Sequence, residues 1–154
     1  MTTTPTRWYD ELVLPVMLQA ARHTYGSAIR TALAEIGCDD MPRSGARVVG
    51  ALARDSSVTD IAQLVGTSKQ AASQLVDTLV TRGYLTRDPA PEDRRKVVLR
   101  LTTRGEEAAR VVAESVQDVD DAITDRVGAE ALARARDVLA VAVEIGHPEH
   151  FGPA

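Results

Sequence analysis

The chain has 154 residues, of which 44% are hydrophobic and only 3% aromatic, so its core must consist mostly of Ala, Val and Leu. This length suits one domain, or a compact domain with helical extensions. The formal net charge of −4 argues at first against a nucleic-acid partner. The charge is uneven, however, because residues 82–104 hold seven basic and three acidic side chains, a local charge of +4. Phosphate contacts depend on local charge, so nucleic acid stays among the candidate partners.

A single cysteine, Cys38, excludes an internal disulfide framework. The first six residues lack the charged and apolar regions of a secretory signal. No apolar run approaches the length of a membrane span. We therefore expect a cytoplasmic protein.

The chain begins with a helical pattern. Apolar residues recur at three- and four-residue steps over residues 8–36 and predict one long helix, ended by Gly37. Pro15 either kinks this helix or marks its first turn, with residues 8–14 as a separate lead-in. A loop over residues 39–42 then leads to a short predicted helix over 44–54.

Two further short helices are predicted around Gly66. Thr59 is expected to cap the first, which runs to Val65, and Ser68 to cap the second, which runs to Arg82 before Gly83. A three-residue turn with glycine between two short helices is typical of a helix-turn-helix.

After Gly83 the apolar period changes from 3.6 to 2. Residues 84–88 and 97–101 are predicted strands on either side of a polar loop that contains two prolines. A β-hairpin directly after a helix-turn-helix is a wing. Thr103 is then expected to cap a long helix over 104–125, and Gly128 to separate it from a last helix over 129–145.

The predicted fold class is therefore mainly α with a small β-hairpin wing, that is, a winged helix-turn-helix. We assign residues 44–102 to the winged helix-turn-helix domain, 8–36 and 104–145 to flanking helices, and 1–7 and 146–154 to tails. The apolar stripes of the flanking helices exceed what one small domain can bury, which favours dimerisation through them.

The helix after Ser68 has two chemically different faces. Apolar positions at i, i+3, i+4 and i+7 point inward: Ala72, Leu75, Val76 and Leu79. The opposite face presents Gln70, Ser73 and Gln74, of which a glutamine can offer a donor and an acceptor together to adenine. Ser68 and Lys69, at the start of the helix, are suited to phosphate. An ordinary solvated helix face is the alternative interpretation.

The predicted wing carries a short charged run at its tip: Asp93, Arg94, Arg95 and Lys96. A narrow minor groove has an enhanced negative potential that attracts an inserted arginine. Asp93 is suited to orient a guanidinium through a bidentate pair. The competing interpretation is a surface ion pair in a flexible turn.

Two runs resemble the MarR family of winged helix-turn-helix regulators. Asp93-Arg94-Arg95, followed by Val97 to Thr102 and then Gly105, is similar to the family's wing pattern of Asp-x-Arg leading into Leu-Thr-x-x-Gly. The run from Ser68 to Leu79, with the exit over residues 82–85, resembles the family's recognition helix. The resemblance covers about residues 58–105, whereas residues 38–47 depart from the family's usual start of the second helix.

The resemblance implies a sequence-specific DNA-binding transcriptional regulator in which Arg95 enters the minor groove beside Asp93. It also implies a homodimer interlocked through its N- and C-terminal helices. Such a dimer should bind a pseudo-palindromic duplex operator with half-sites about 10 bp apart. We expect a repressor of its own or a neighbouring operon, relieved by a small-molecule effector.

Three residues near the N-terminus are candidates for an aromatic or lipophilic effector: Trp8, Met17 and Tyr25. Dimer-interface core is the competing and commoner role for such residues. Cys38 offers a thiol-based redox-sensing repressor as an alternative, but no second cysteine is present to resolve an oxidised thiol. His147 and His150 lie in a polar tail, so we expect no metal site and no cofactor.

An enzyme would need a converging set of titratable groups, and the sequence shows neither a phosphate-binding glycine loop nor metal-ligand spacing. We therefore predict that the chain is not an enzyme. A winged-helix module for protein–protein contact is the remaining alternative. Such a module would expose apolar residues on the recognition helix, where this chain has glutamine and serine.

Overall fold

A computed structural model describes residues 7–55, 60–90 and 97–146. Within these ranges six helices and one hairpin follow the predicted order, which confirms the fold class. The elements are α1 Leu14–Glu35, α2 Gly45–Arg54, α3 Ile61–Val65, α4 Lys69–Thr81, β1 Leu85–Pro89, β2 Val97–Leu101, α5 Thr103–Val127 and α6 Ala129–Gly146.

The first helix begins at Leu14, so the prediction of a continuous helix from residue 8 was wrong. Pro15 lies in the first turn, where its missing N–H costs no intrahelical hydrogen bond. The preceding residues form turns, with the Leu12 N–H donating to the Tyr9 carbonyl at 3.0 Å. Of the two roles left open for Pro15, the structure shows the start of the helix.

Three predicted helix caps have different outcomes. Ser68 caps α4 as predicted, since its Oγ accepts from the Ala71 N–H at 3.2 Å. At α3 the cap is Asp60, whose carboxylate accepts from the Gln63 N–H at 2.9 Å, whereas Thr59 lies outside the described residues. At α5 the hydroxyl of Thr102 accepts from the Gly105 N–H at 3.0 Å, so the prediction of Thr103 as the cap was wrong.

The hairpin is antiparallel, with Leu85 opposite Leu101 and Pro89 opposite Val97. Tyr84, predicted as the first strand residue, precedes β1 because its N–H completes the end of α4 by donating to the Leu79 carbonyl at 2.9 Å. This bond closes the helix over Gly83, whose φ of 73° is left-handed and suits glycine.

Residues 1–115 form one compact unit. Its core contains the predicted inward residues Ala72, Val76 and Leu79, while Leu75 is half-buried at the edge. The largest fully buried side chains of the unit are Tyr84, Leu79, Leu85, Val48 and Val49. The core therefore lies directly beneath α4 and fixes which of its faces is exposed.

Residues 116–154 form the second unit, which holds the end of α5 and all of α6. An ion pair joins Arg136 Nη2 to Asp120 Oδ2 at 2.5 Å within it. No residue of α6 is buried, and its exposed apolar side chains include Leu139 and Ile145.

Candidate nucleic-acid interface

One face of α4 is polar and exposed. Gln70, Ser73 and Gln74 lie on the side opposite the buried Ala72 and Val76. The structure thus brings the three predicted base-reading residues together on one accessible surface. At 3.6 residues per turn, positions 70, 73, 74 and 77 are one continuous strip.

The N-terminal end of the same helix holds the two predicted phosphate residues. Lys69 and Ser68 are both exposed. The Ser68 oxygen already accepts from the Ala71 N–H, so only its hydroxyl proton is available to a phosphate. Lys69 is therefore the stronger phosphate candidate of the two.

The predicted wing tip lies outside the described residues, and this applies to Asp93, Arg94, Arg95 and Lys96. The strand ends that carry the tip are described. Pro89 and Val97 are the last paired residues before the predicted wing tip, and both are exposed. Their roles in the wing stay a prediction.

Gly45 lets α2 approach α4 closely and so helps to position α4. A Cβ at this position would lie 2.9 Å from Leu79 Cδ2 and 2.7 Å from Met41 Sδ, so a larger residue would have to displace these two side-chain ends, whereas glycine lets the start of α2 pack tightly against α4. The turn between α3 and α4 is held from α2 as well, since Arg47 Nη1 donates to the Val65 carbonyl at 3.3 Å. Sequence reasoning missed both contacts, because neither residue falls in a motif.

A polar cluster at the base of the hairpin was also missed; we call its residues, Asp40, Tyr84 and Arg104, the Arg104 junction. Arg104 Nη2 lies 2.9 Å from Asp40 Oδ1, and the guanidinium carbon stacks 4.4 Å from the Tyr84 ring centroid. The Tyr84 hydroxyl donates to the same Asp40 carboxylate. The three residues are 20 to 64 positions apart in sequence, so no local pattern could reveal the cluster.

The Arg104 junction shifts the protonation of its members. The hydrogen bond from Tyr84 is the largest effect on Asp40 and, with the positive charge of Arg104, lowers the pKa of Asp40 although burial acts to raise it. Burial, together with the neighbouring Asp40 carboxylate, raises the pKa of Tyr84 well above its usual range. The cluster therefore holds Asp40 ionised and Tyr84 neutral across the physiological range.

Cys38 lies against the Arg104 junction and is only 2% exposed. Redox-sensing cysteines are solvent-accessible, because an oxidant must reach the sulfur. The burial of Cys38 argues against the thiol-sensing alternative and favours a packing role.

The three effector candidates lie at successive points of the N-terminal segment. Trp8 is 81% exposed and meets Tyr9 edge-on, with ring centroids 5.4 Å apart. Met17 and Tyr25 are half-buried in α1, two turns or about 12 Å apart along its axis. Their effector role is untested.

Over the described ranges no group of three His, Cys, Asp or Glu side chains is placed to hold a metal ion, and His147 and His150 fall outside those ranges. Within the same ranges, none of the helices is both long enough and apolar enough to cross a membrane.

Both the sequence and the fold resemble those of known proteins. The sequence profile of the MarR family matches residues 39–96, which contain α2, the helix-turn-helix and β1. The solved structure of reduced MarR from E. coli is 21% identical, with a TM-score of 0.64, and the match covers 84% of this chain and 96% of that one. Over residues 39–96 the chain is therefore similar to the MarR family. A search of curated protein sequences finds no match.

Two further MarR-like structures match almost end to end, each covering 92% of this chain and 99% of the other. NadR in complex with 4-hydroxyphenylacetate is 24% identical with a TM-score of 0.69. The transcriptional repressor CouR, bound to a 23-mer DNA duplex, is 20% identical with a TM-score of 0.68. The MarR fold thus includes the long helices on both sides of the winged helix-turn-helix. CouR is a transcriptional repressor by name, which agrees with the prediction that this chain is a regulator and not an enzyme.

Proposed function

We propose that this chain is a regulator of the MarR type, a dimeric repressor that binds a pseudo-palindromic duplex operator. The observation that carries the proposal is the exposed strip of Gln70, Ser73 and Gln74, which lies opposite the buried apolar face of α4. Two amides and a hydroxyl on a fixed helix match the donor and acceptor pattern of base edges in the major groove. A surface for protein–protein contact would present apolar side chains in this position.

Lys69 and the wing supply contacts of a different kind. Lys69 stands at the start of α4, where an ammonium meets phosphate without reading sequence. Arg95, held by Asp93, enters the adjacent minor groove, as the MarR wing pattern implies. Local positive charge then supplies affinity, while the glutamines supply sequence preference, and this combination makes the chain's net charge of −4 compatible with DNA binding.

The dimer rests on apolar surface that each unit leaves exposed. In the first unit the lead-in and start of α1 expose Trp8, Val13 and Val16. In the second unit α6 exposes several aliphatic side chains: Val138, Leu139, Val141, Val143 and Ile145. Exposed apolar area of this kind marks an interface, and a two-fold axis would set the two recognition helices about one helical turn apart on the duplex.

The first experiment selects bound genomic fragments with the wild-type protein and then measures operator affinity by fluorescence anisotropy against a random duplex of equal length. The variants are Gln70→Ala and Gln74→Ala, with Gln117→Ala on the exposed side of α5 as the matched control. Each α4 variant is expected to lose about 1–3 kcal/mol of preference for the operator, while the control keeps it. Equal losses on operator and random duplex would show that α4 does not read bases.

Arg95→Ala tests the wing with the same assay. Operator affinity is expected to fall strongly while the circular dichroism spectrum stays unchanged, since the residue stands in a polar, charged stretch of the sequence between β1 and β2. Arg110→Ala, an exposed arginine paired with Glu107 and Glu114 on α5, is the matched control. Unchanged operator affinity for Arg95→Ala would refute the wing assignment.

We also propose a small aromatic or lipophilic effector that releases the operator. NadR is found in complex with 4-hydroxyphenylacetate, and the aromatic and thioether groups of Trp8, Met17 and Tyr25 suit a ring of this kind. An effector must bind one dimer geometry better than the other, because equal affinity for both shifts no population. Trp8 is the only tryptophan, so its fluorescence reports binding directly, with 4-hydroxyphenylacetate as the first probe. An unchanged spectrum and unchanged operator affinity at millimolar probe would exclude this ligand class.

A further inference from the structure

One ion pair connects the recognition helix to the hairpin on the exposed side of the fold. Arg87 Nη2 lies 2.5 Å from Asp77 Oδ1. Asp77 continues the strip of Ser73 and Gln74 by one turn along α4, and Arg87 stands in the middle of β1 opposite Leu99. The two elements that would enter neighbouring grooves of a duplex are therefore joined by a charged contact close to the DNA-facing surface.

The alternation of side chains along β1 shows which part of the hairpin the Asp77–Arg87 pair connects to α4. Side chains alternate across a strand, so Arg87 lies on the same side of β1 as Leu85, which is 1% exposed in the core. On the other side Asp88 pairs with Arg100 at 3.4 Å and accepts from the Thr86 hydroxyl. Leu85 and, on the partner strand, Leu99 and Leu101 pack the hairpin against the core. Arg87, opposite Leu99 and about 7 Å nearer the tip than Leu85, adds a charged contact that joins the middle of the hairpin directly to α4.

A small tilt of the hairpin has a large effect at its end. Pro89 lies about 13 Å along the strand from Leu85, so a tilt of about 10° at Leu85 moves it by about 2 Å, and residues beyond it by more. Contacts to DNA tolerate much smaller errors, on the order of 0.5 Å. The direction of the hairpin relative to α4 thus decides whether both elements reach the duplex together.

Asp77 carries a negative charge on the helix face that is proposed to meet DNA. A carboxylate on a DNA-facing helix repels phosphates, so a helix shaped by charge alone would lack it. Asp77 is 58% exposed and Arg87 40% exposed, so solvent screens the pair and it contributes little to stability. Folding therefore gives a weak reason for this carboxylate, whereas alignment of two DNA-binding elements gives a direct one.

We propose that Asp77 and Arg87 are positioning residues that set the direction of the wing against the recognition helix, an inference that rests on the proposed DNA-binding function. Neither residue contacts a base in this scheme. Each acts through the other, and their effect on affinity is transmitted by the wing.

The test compares Asp77→Asn, Arg87→Gln and the double variant on the selected operator by fluorescence anisotropy. Asp77→Asn is expected to weaken operator binding about fivefold although it removes a negative charge from the DNA-facing surface. Arg87→Gln should weaken binding to a similar extent, and the double variant no further. Asp88→Asn makes the same charge change on the opposite side of the strand and should leave affinity equal or slightly tighter.

Two further readouts separate positioning from direct contact and from general destabilisation. In an Arg95→Ala background Asp77→Asn should have no additional effect, because the contact that it aligns is already lost. The slope of log affinity against log salt should not change for Asp77→Asn, and thermal melting should stay within about 2 °C of wild type.

Three results would overturn the inference. Tighter or unchanged binding by Asp77→Asn would show that the carboxylate only repels DNA. A salt slope for Arg87→Gln lower by about one would make Arg87 a phosphate ligand instead. A wild-type protein that binds no duplex would overturn the proposed function and this inference together, whereas normal wild-type binding with inert Asp77→Asn would overturn this inference alone.

Discussion

Gly105→Ala is expected to destabilise the protein although alanine is the better helix former. Gly105 lies in the first turn of α5, where helix propensity alone would favour alanine by about 1 kcal/mol. An added Cβ, however, would overlap the carbonyl oxygen of Tyr84 and lie 3.1 Å from both the carbonyl carbon of Tyr84 and Leu101 Cδ2. A backbone oxygen cannot swing aside as a flexible side chain can. The helix must therefore move away from the base of the hairpin.

The size of the effect follows from what this shift breaks. Carbon and oxygen atoms need more than 3 Å, so α5 must move by about 1 Å. The Tyr84 carbonyl accepts from the Thr102 N–H at 3.1 Å, and that bond would stretch beyond hydrogen-bond range at a cost of about 1 kcal/mol. Poorer packing over the buried Tyr84 adds about 1–3 kcal/mol. After the propensity gain is subtracted, a net loss of about 1–3 kcal/mol remains.

Thermal unfolding by circular dichroism at one fixed protein concentration measures this loss, since a dimer melts at a concentration-dependent temperature. For a chain of this size the loss corresponds to a melting temperature lower by about 2–12 °C. Gly50→Ala in α2 is the matched control, because its Cβ would meet Val112 Cγ1 at an ordinary 3.6 Å, and it should be neutral or stabilising. A Gly105→Ala protein as stable as the Gly50→Ala protein would refute the close helix–strand contact.

Further predictions concern phosphate binding, the dimer and pH. Lys69→Ala should weaken operator and random duplex alike and reduce the salt slope by about one, and an operator-specific loss would contradict its assignment to phosphate. Leu139→Glu should give monomer in sedimentation equilibrium and abolish operator binding, while Arg134→Glu, on an exposed part of the same helix, should leave a dimer; a folded Leu139→Glu monomer with wild-type affinity would refute the architecture. The lowered pKa of Asp40 means that its ion pair stabilises the fold above the ordinary value of 3.8 and is lost as pH falls through the lower folded-state value. Urea denaturation should therefore show a smaller decline between pH 5 and 3 for Asp40→Asn than for wild type, and equal declines would exclude a role for this carboxylate.

The sequence predicts the helices and strands well where their signals are local. The change of period after Gly83 located the hairpin, and the observed strand Val97–Leu101 has the predicted bounds. The predicted capping role of Ser68 is confirmed, because a serine before an amphipathic run has one dominant use. The inward face of α4 follows from the spacing of Val76 and Leu79, and the exposed polar strip is its geometric complement.

The wrong predictions arise where two neighbouring residues are equally suited by type to one structural role. Thr102 and Thr103 are equal candidates for a cap by type, and the choice is made by the Gly83 carbonyl, which accepts from the Thr102 hydroxyl at 2.5 Å. Tyr84 suits a strand by its side chain, yet its N–H is used by the end of α4. Such choices depend on contacts between distant segments, and periodicity carries no information about them.

The pairing of Asp77 with Arg87 shows the same limit on the functional surface. Asp77 reads from sequence as one more polar residue of an exposed helix face, and Arg87 as one of seven basic residues in a charged segment. Only the folded hairpin brings them within 2.5 Å. Residue type can indicate which surface meets DNA, whereas the relative orientation of two elements on that surface requires the structure.

Arg104 donates to the carbonyl of Gly37 at 3.0 Å, just past the end of α1, and to the carbonyl of Arg82 at 2.6 Å, at the end of α4. One planar guanidinium thus completes the hydrogen bonding of two helix ends that are 45 positions apart in the chain. A lysine would keep the charge but could not reach both carbonyls, because its ammonium is a single point on a flexible stem. The same side chain therefore caps both helices, and a displacement of one helix end is transmitted to the other through Arg104.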